Sequence, residues 1–124
     1  MKFEKVLIGQ YNQPNPNKRI INITKEKLES LLVKDEYFLL QDMKGFGIDL
    51  FKNVKGVCRN FRVEEENSIV NLYADINIID PYAQLLQLNE CKFSMRMTGK
   101  PIGYDETLDG NNIDKIVGWD LTYE

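Results

Sequence analysis

Apolar and polar residues alternate along Ile69–Ile79. Val70, Leu72, Ala74, Ile76 and Ile78 fall on one face, and Asn71, Tyr73, Asp75 and Asn77 on the other. A period of two is the mark of a half-buried antiparallel strand. Looser alternation over Phe3–Tyr11, carrying Val6, Leu7 and Ile8, predicts a first strand, and Val54–Val63 predicts another. After Thr24 the period lengthens. Leu28, Leu31 and Leu32 recur at helical spacing, with Thr24 as N-cap and Ile23 placed to staple against Leu28. Tyr37–Leu40 predicts a short strand, KFSMRMTGK (Lys92–Lys100) a longer one, and Ile113–Tyr123 the last. Asp80-Pro81 is a helix start, with Asp as cap and Pro at the first position, so a second short helix is expected over Tyr82–Leu88. The connections are rich in turn formers: Asn12–Arg19, Asp42–Phe51 with Gly45 and Gly47, the charged turn Glu64–Asn67, and the polar loop Asp105–Asn112.

This order of elements predicts an α+β fold: an antiparallel, barrel-like β-sheet with two short helices. A chain of 124 residues suits one domain, 1–124, with one modest core. No apolar run approaches the roughly 20 residues that span a bilayer. The opening MKFEKVLIGQ mixes charge and apolar residues too evenly for a signal peptide, so a cytoplasmic location is expected.

Composition changes the picture in three ways. The net charge is −3, which argues against a nucleic-acid binder, whose surface carries a positive footprint. The modest basic strip Lys52, Lys55, Arg59 and Arg62 reads as a solvated face. Cys58 and Cys91 are the only cysteines, they lack CxxC spacing, and the chain has 0 histidines. A structural zinc site would need four ligands drawn mainly from Cys and His. The acidic loop residues Asp105, Glu106, Asp109 and Asp114 lack the alternation of a calcium loop. No metal and no cofactor are expected. The absent histidine also removes the usual general base at neutral pH.

Several segments, in order, resemble the tailed-phage prohead (head maturation) proteases, whose fold is akin to herpesvirus assemblin. NKRIINITKEKLESLL resembles the family's early "NGRIYP" stretch leading into a helix. IDLFKNVKGVCRNFRVEEENSIVNLYADINIID resembles the hairpin and the strand ending in "EILDTP". DPYAQLLQLNECKFSMRMTGK resembles the short helix and the nucleophile strand "GVSSRG", and IVGWDLTYE the strand after it. The family's catalytic histidine lies on a "GELDHP"-like segment. Here that region reads LLQDMKGFG (Leu39–Gly47), with Asp42 present and Met43 or Lys44 in the histidine's approximate place. Ser-Ser-Arg-Gly becomes Ser94-Met95-Arg96-Met97, so one of the two family serines is kept and the glycine is lost.

The resemblance implies a scaffold without its base. A serine hydroxyl attacks only when a neighbour takes its proton, so Ser94 reads as a strand residue. The expected function is that of a non-catalytic phage or prophage protein, binding another protein in head morphogenesis or against a host factor. It would act in the host cytoplasm or in association with the virion, with a homodimer by analogy to some relatives. Two alternatives stand beside it. One is a serine peptidase with Ser94 as nucleophile and Lys44 or Asp42 as base, which needs burial to lower the lysine's pKa. The other is an inhibitor or decoy of a host defence nuclease or nucleotide sensor. Lys92, Arg96 and Lys100 alternate on one strand and share a face, which makes them the candidate binding residues. Arg96 could instead pair with Asp75, Asp105 or Asp120. Trp119, Met95 and Met97 are expected to alternate into the core.

Overall fold

The computed structural model of the chain describes residues 2–14, 20–41, 54–79, 91–99 and 107–123, without the side chains of Gln41, Cys91, Thr122 and Tyr123. The elements are β1 (Lys2–Tyr11), β2 (Ile20–Asn22), α1 (Lys25–Leu31), β3 (Glu36–Gln41), β4 (Val54–Glu66), β5 (Ile69–Ile78), β6 (Cys91–Gly99), β7 (Thr107–Asp109) and β8 (Ile113–Tyr123). Six strands form one sheet in the order β1-β5-β4-β3-β8-β6, and β2 and β7 form a second, small sheet.

The chain is α+β and mostly strand, and its large sheet curls into a half-barrel. The edges β1 and β6 come together where the Tyr11 hydroxyl donates to the Met95 sulfur at 3.5 Å. The expectation of an antiparallel sheet is corrected in two places. β3 runs parallel to β8, with Phe38 opposite Gly118 and Leu40 opposite Asp120. β2 runs parallel to β7. Parallel partners come from distant parts of the chain, so local alternation carries no trace of them. One helix lies among the described residues. The second, expected over 82–88, falls outside them, as do the loop 42–51 and the cap pair Asp80-Pro81. No described helix is long and apolar enough to cross a membrane.

Local chemistry explains the elements. In β5 every second residue is buried: Val70, Leu72, Ala74, Ile76 and Ile78. Helix α1 starts at Thr24, whose side chain accepts from Lys27 N–H at 3.1 Å. Leu28 and Leu31 are buried and Leu32 is partly so. At the other end of α1, Tyr37 reaches over from β3. Its hydroxyl donates to Leu31 C=O at 3.2 Å and accepts from Val33 N–H at 3.1 Å and Lys34 N–H at 3.3 Å. Val33 N–H also donates to Leu31 C=O at 3.0 Å, so one phenol reinforces that turn and supplies the acceptor for Lys34 N–H at the helix end. The same ring packs edge-on to Phe61 and Trp119, with centroids 5.5 and 5.6 Å away.

Two expected turns shift. Strand β4 continues through Glu66, so the β4–β5 turn is Asn67-Ser68 and not Glu64–Asn67. Both turn residues have positive φ, 52° and 68°, as a two-residue type I′ hairpin requires. The polar loop ending at Asn112 holds strand β7 and a 3-10 turn over 110–112, capped by the Asp109 side chain on Asn111 N–H.

Candidate functional site

Residues on β6 and β8 alternate between the core and the outer face. Trp119 is fully buried, and Phe93, Met95 and Met97 are partly buried against the same core cluster. Ser94, Arg96 and Asp120 therefore point to the convex outer side. The β6–β8 ladder sets Ser94 opposite Asp120 and Arg96 opposite Gly118. The β3–β8 ladder extends both rows, with Leu40 beside Asp120 and Phe38 beside Gly118. The outer face of β3, β8 and β6 thus gathers Ser94, Arg96, Asp120, Phe38 and Leu40.

Arg96 closes a two-pronged bond with Asp120: Nε to Oδ2 at 3.1 Å and Nη2 to Oδ1 at 2.7 Å. Both side chains are largely covered, at 21% and 15% exposure, so solvent screens the pair little, and the two-pronged geometry fixes its orientation. Of the three partners open to Arg96 on sequence grounds, the register selects Asp120. Asp105 lies outside the described residues, and Asp75 binds Arg62.

Among the described residues the Ser94 hydroxyl makes no hydrogen bond. The carboxylate across the ladder is occupied by Arg96. Lys44 and Asp42, the candidate bases, fall outside the described residues, as does the candidate binding residue Lys100. Lys92 lies on β6 and is half-buried.

Among the described residues of the basic strip, both arginines are paired with carboxylates. Arg59 pairs with Glu36 and Arg62 with Asp75, while Lys52 is outside the described residues. No group of three or more metal-binding side chains occurs among the described residues. Cys58 lies in the core, and burial pushes its thiol up to about 12. At neutral pH it remains protonated and unreactive.

Two features of this face were not legible in the chain. Phe38 is 53% exposed, although its neighbours Tyr37 and Leu39 are core residues. Gly118 beside it has no side chain, and a Cβ there would lie 2.6 Å from the Phe38 carbonyl oxygen. The aromatic ring is therefore bordered on the β8 side by bare backbone. Leu40, further along the same face, is buried although it does not belong to the central core cluster. Comparison with models of known protein families, with curated proteins and with solved structures finds no match.

Proposed function

We propose that this chain works by binding another protein through the exposed part of the outer face around Phe38 of β3, and not by cutting bonds. The observation that carries this reading is the pairing of Ser94 with an occupied carboxylate. The one acid across from the hydroxyl holds Arg96 with both oxygens. A proton acceptor already committed to a guanidinium is a poor general base. Beside that locked pair, Phe38 offers an aromatic ring to solvent. The flanking charges are compensated within the sheet, by Glu36–Arg59 on one side and Arg96–Asp120 on the other. An apolar ring inside a compensated polar rim suits an apolar side chain of a protein partner.

The ordered motifs that resemble prohead proteases support a role as a non-catalytic relative of that family. The partner is a phage structural protein during head morphogenesis, or a host factor, met in the host cytoplasm or carried with the virion. The test is a cleavage and binding assay on a phage scaffold or capsid protein, with Ser94→Ala and Phe38→Ala variants. The expected result is no cleavage, binding that survives Ser94→Ala, and binding weakened at least about tenfold by Phe38→Ala. Serine-dependent cleavage, or labelling of Ser94 by a fluorophosphonate, would replace this reading with the peptidase. Binding to a host nuclease but not to head proteins would replace it with the inhibitor.

A further inference from the structure

Asp75 stands where two β-bulges on different strands meet β5. On β1 the ladder passes from Phe3 opposite Ile76 to Val6 opposite Ala74, so Glu4 and Lys5 crowd against Asp75. On β4 it passes from Arg59 opposite Asp75 to Arg62 opposite Tyr73, so Asn60 and Phe61 share one place. Each bulge holds a non-glycine residue in the left-handed region: Lys5 at φ 47° and Asn60 at φ 54°. Such conformations persist only when their surroundings hold them.

One carboxylate does the holding for both. Asp75 Oδ1 accepts from Lys5 N–H at 2.9 Å, and Oδ2 accepts from Asn60 Nδ2 at 2.8 Å. Arg62 Nη2 donates to the two oxygens at 3.1 and 3.3 Å. Bulges bend a strand and increase its twist. These two lie on the strands that flank β5, at the β1 end of the sheet. The far end of β1 is anchored by buried Ile8 and Tyr11, whereas Phe3 and Val6 near the bulge are only partly buried. That end can therefore open without dissolving the core.

We propose that Asp75 is an acid-releasable latch at the β1 end of the sheet: when its carboxylate is neutralised, both bulges are freed and the first half of β1 lifts while the core stays folded. Protonation removes the negative charge and turns one of the two oxygens into an O–H donor, so the carboxyl can no longer accept from all three donors through both oxygens.

The charged groups around the latch are few. From β1 come Glu4, Lys5 and, one step along the ladder, Lys2. From β4 come Arg59, Arg62 and Glu64, and Tyr73 is the neighbour on β5. Arg59 is engaged with Glu36. The Lys5 ammonium is 3.3 Å from Glu64 and lies over the Tyr73 ring. Arg62 is thus the cation in direct contact with Asp75. The Lys5 N–H first, then the Asn60 amide, and then Arg62 hold the Asp75 carboxyl below the usual carboxylate range. A depressed folded-state pKa gives stabilisation that is complete above the unfolded-state pKa. It is lost as pH falls through the folded-state value. The latch is closed at neutral pH and opens in acid. A depression of about 290 Å³, lined by Lys2, Glu4, Arg59 and Asn60 among others, gives water access to Asp75.

The test follows the Lys5 backbone amide by NMR during an acid titration, with Trp119 fluorescence and far-UV circular dichroism as reports on the core. The Lys5 amide signal is expected to titrate while both core signals stay unchanged. At neutral pH, Asp75→Asn should lower hydrogen-exchange protection of that amide about tenfold or more. Glu64→Gln, which removes the neighbouring acid, should leave the Lys5 titration in place. A Lys5 signal that does not titrate, that changes only together with Trp119, or that disappears in Glu64→Gln would overturn the latch. If Asp75→Asn does not fold, the wild-type titration decides by the same criteria.

Discussion

Arg96 is the residue whose role changes most between chain and fold. On the strand pattern alone it belongs with Lys92 and Lys100 as an outward cation available to a partner. In the fold its guanidinium is spent on Asp120, at 2.7 and 3.1 Å. Removing the carboxylate would leave a half-buried cation without its partner. Asp120→Ala is expected to lower stability by about 1–3 kcal/mol, read as a shift in the urea midpoint with an unchanged slope. Ser94→Ala, one step away on the same face, should stay within about 0.5 kcal/mol of wild type, because the hydroxyl holds nothing among the described residues. A cost for Ser94→Ala matching that of Asp120→Ala would mean the serine is part of the network. The chain made Asp120 one of three possible partners for Arg96. It could not choose, because the choice depends on the β6–β8 register.

At the scale of elements, the most regular segment was the most legible. Strand β5 buries the alternate set its pattern marks, because each of those residues is apolar and each intervening one can stay wet. Helix α1 was legible at its start, through Thr24, and not at its end, because the residue that reinforces its last turn is Tyr37 of the next strand. Tyr37→Phe keeps the ring contacts with Phe61 and Trp119 and deletes that cap. It is expected to cost about 0.5–1.5 kcal/mol, the net worth of a hydrogen bond, since Leu31 C=O and Val33 N–H keep each other and Lys34 N–H loses the phenol. An unchanged thermal midpoint would show that Lys34 N–H is satisfied some other way. The β4–β5 turn offers the opposite sign. Ser68 sits at φ 68°, a conformation that a side chain disfavours and glycine adopts freely. Its carbonyl, not its hydroxyl, accepts from the Asn12 amide at 3.0 Å. Ser68→Gly should therefore keep that bond and raise stability by about 0.5–1 kcal/mol, a gain measurable by chemical denaturation. A loss would show that the Ser68 side chain contributes to the turn.

For the whole molecule, the parallel contact between β3 and β8 decides the architecture. It joins the β1-β5-β4-β3 half of the sheet to the β8-β6 pair, and so brings Phe38 beside Arg96 and Ser94. The contact depends on close approach at Gly118, where an added Cβ would press on the Phe38 carbonyl at 2.6 Å. Gly118→Val is expected to cost about 1–3 kcal/mol through overpacking, with the loss centred on the β3–β8 junction in hydrogen exchange. Tolerance of valine with the junction intact would show that the strands can separate without penalty. The chain by itself determined where the strands of the large sheet lie, though not the short β2 and β7, where α1 begins, which face of β5 is buried, and that no histidine is present to serve as base. These are local matters of side-chain period, capping chemistry and residue type. The tertiary structure alone decided the parallel junction, the partner of Arg96, the exposure of Phe38 and the gathering of two bulges on Asp75. Each depends on contacts between residues far apart in the chain, and a period of two tells a strand which face to bury but not which strand to lie beside.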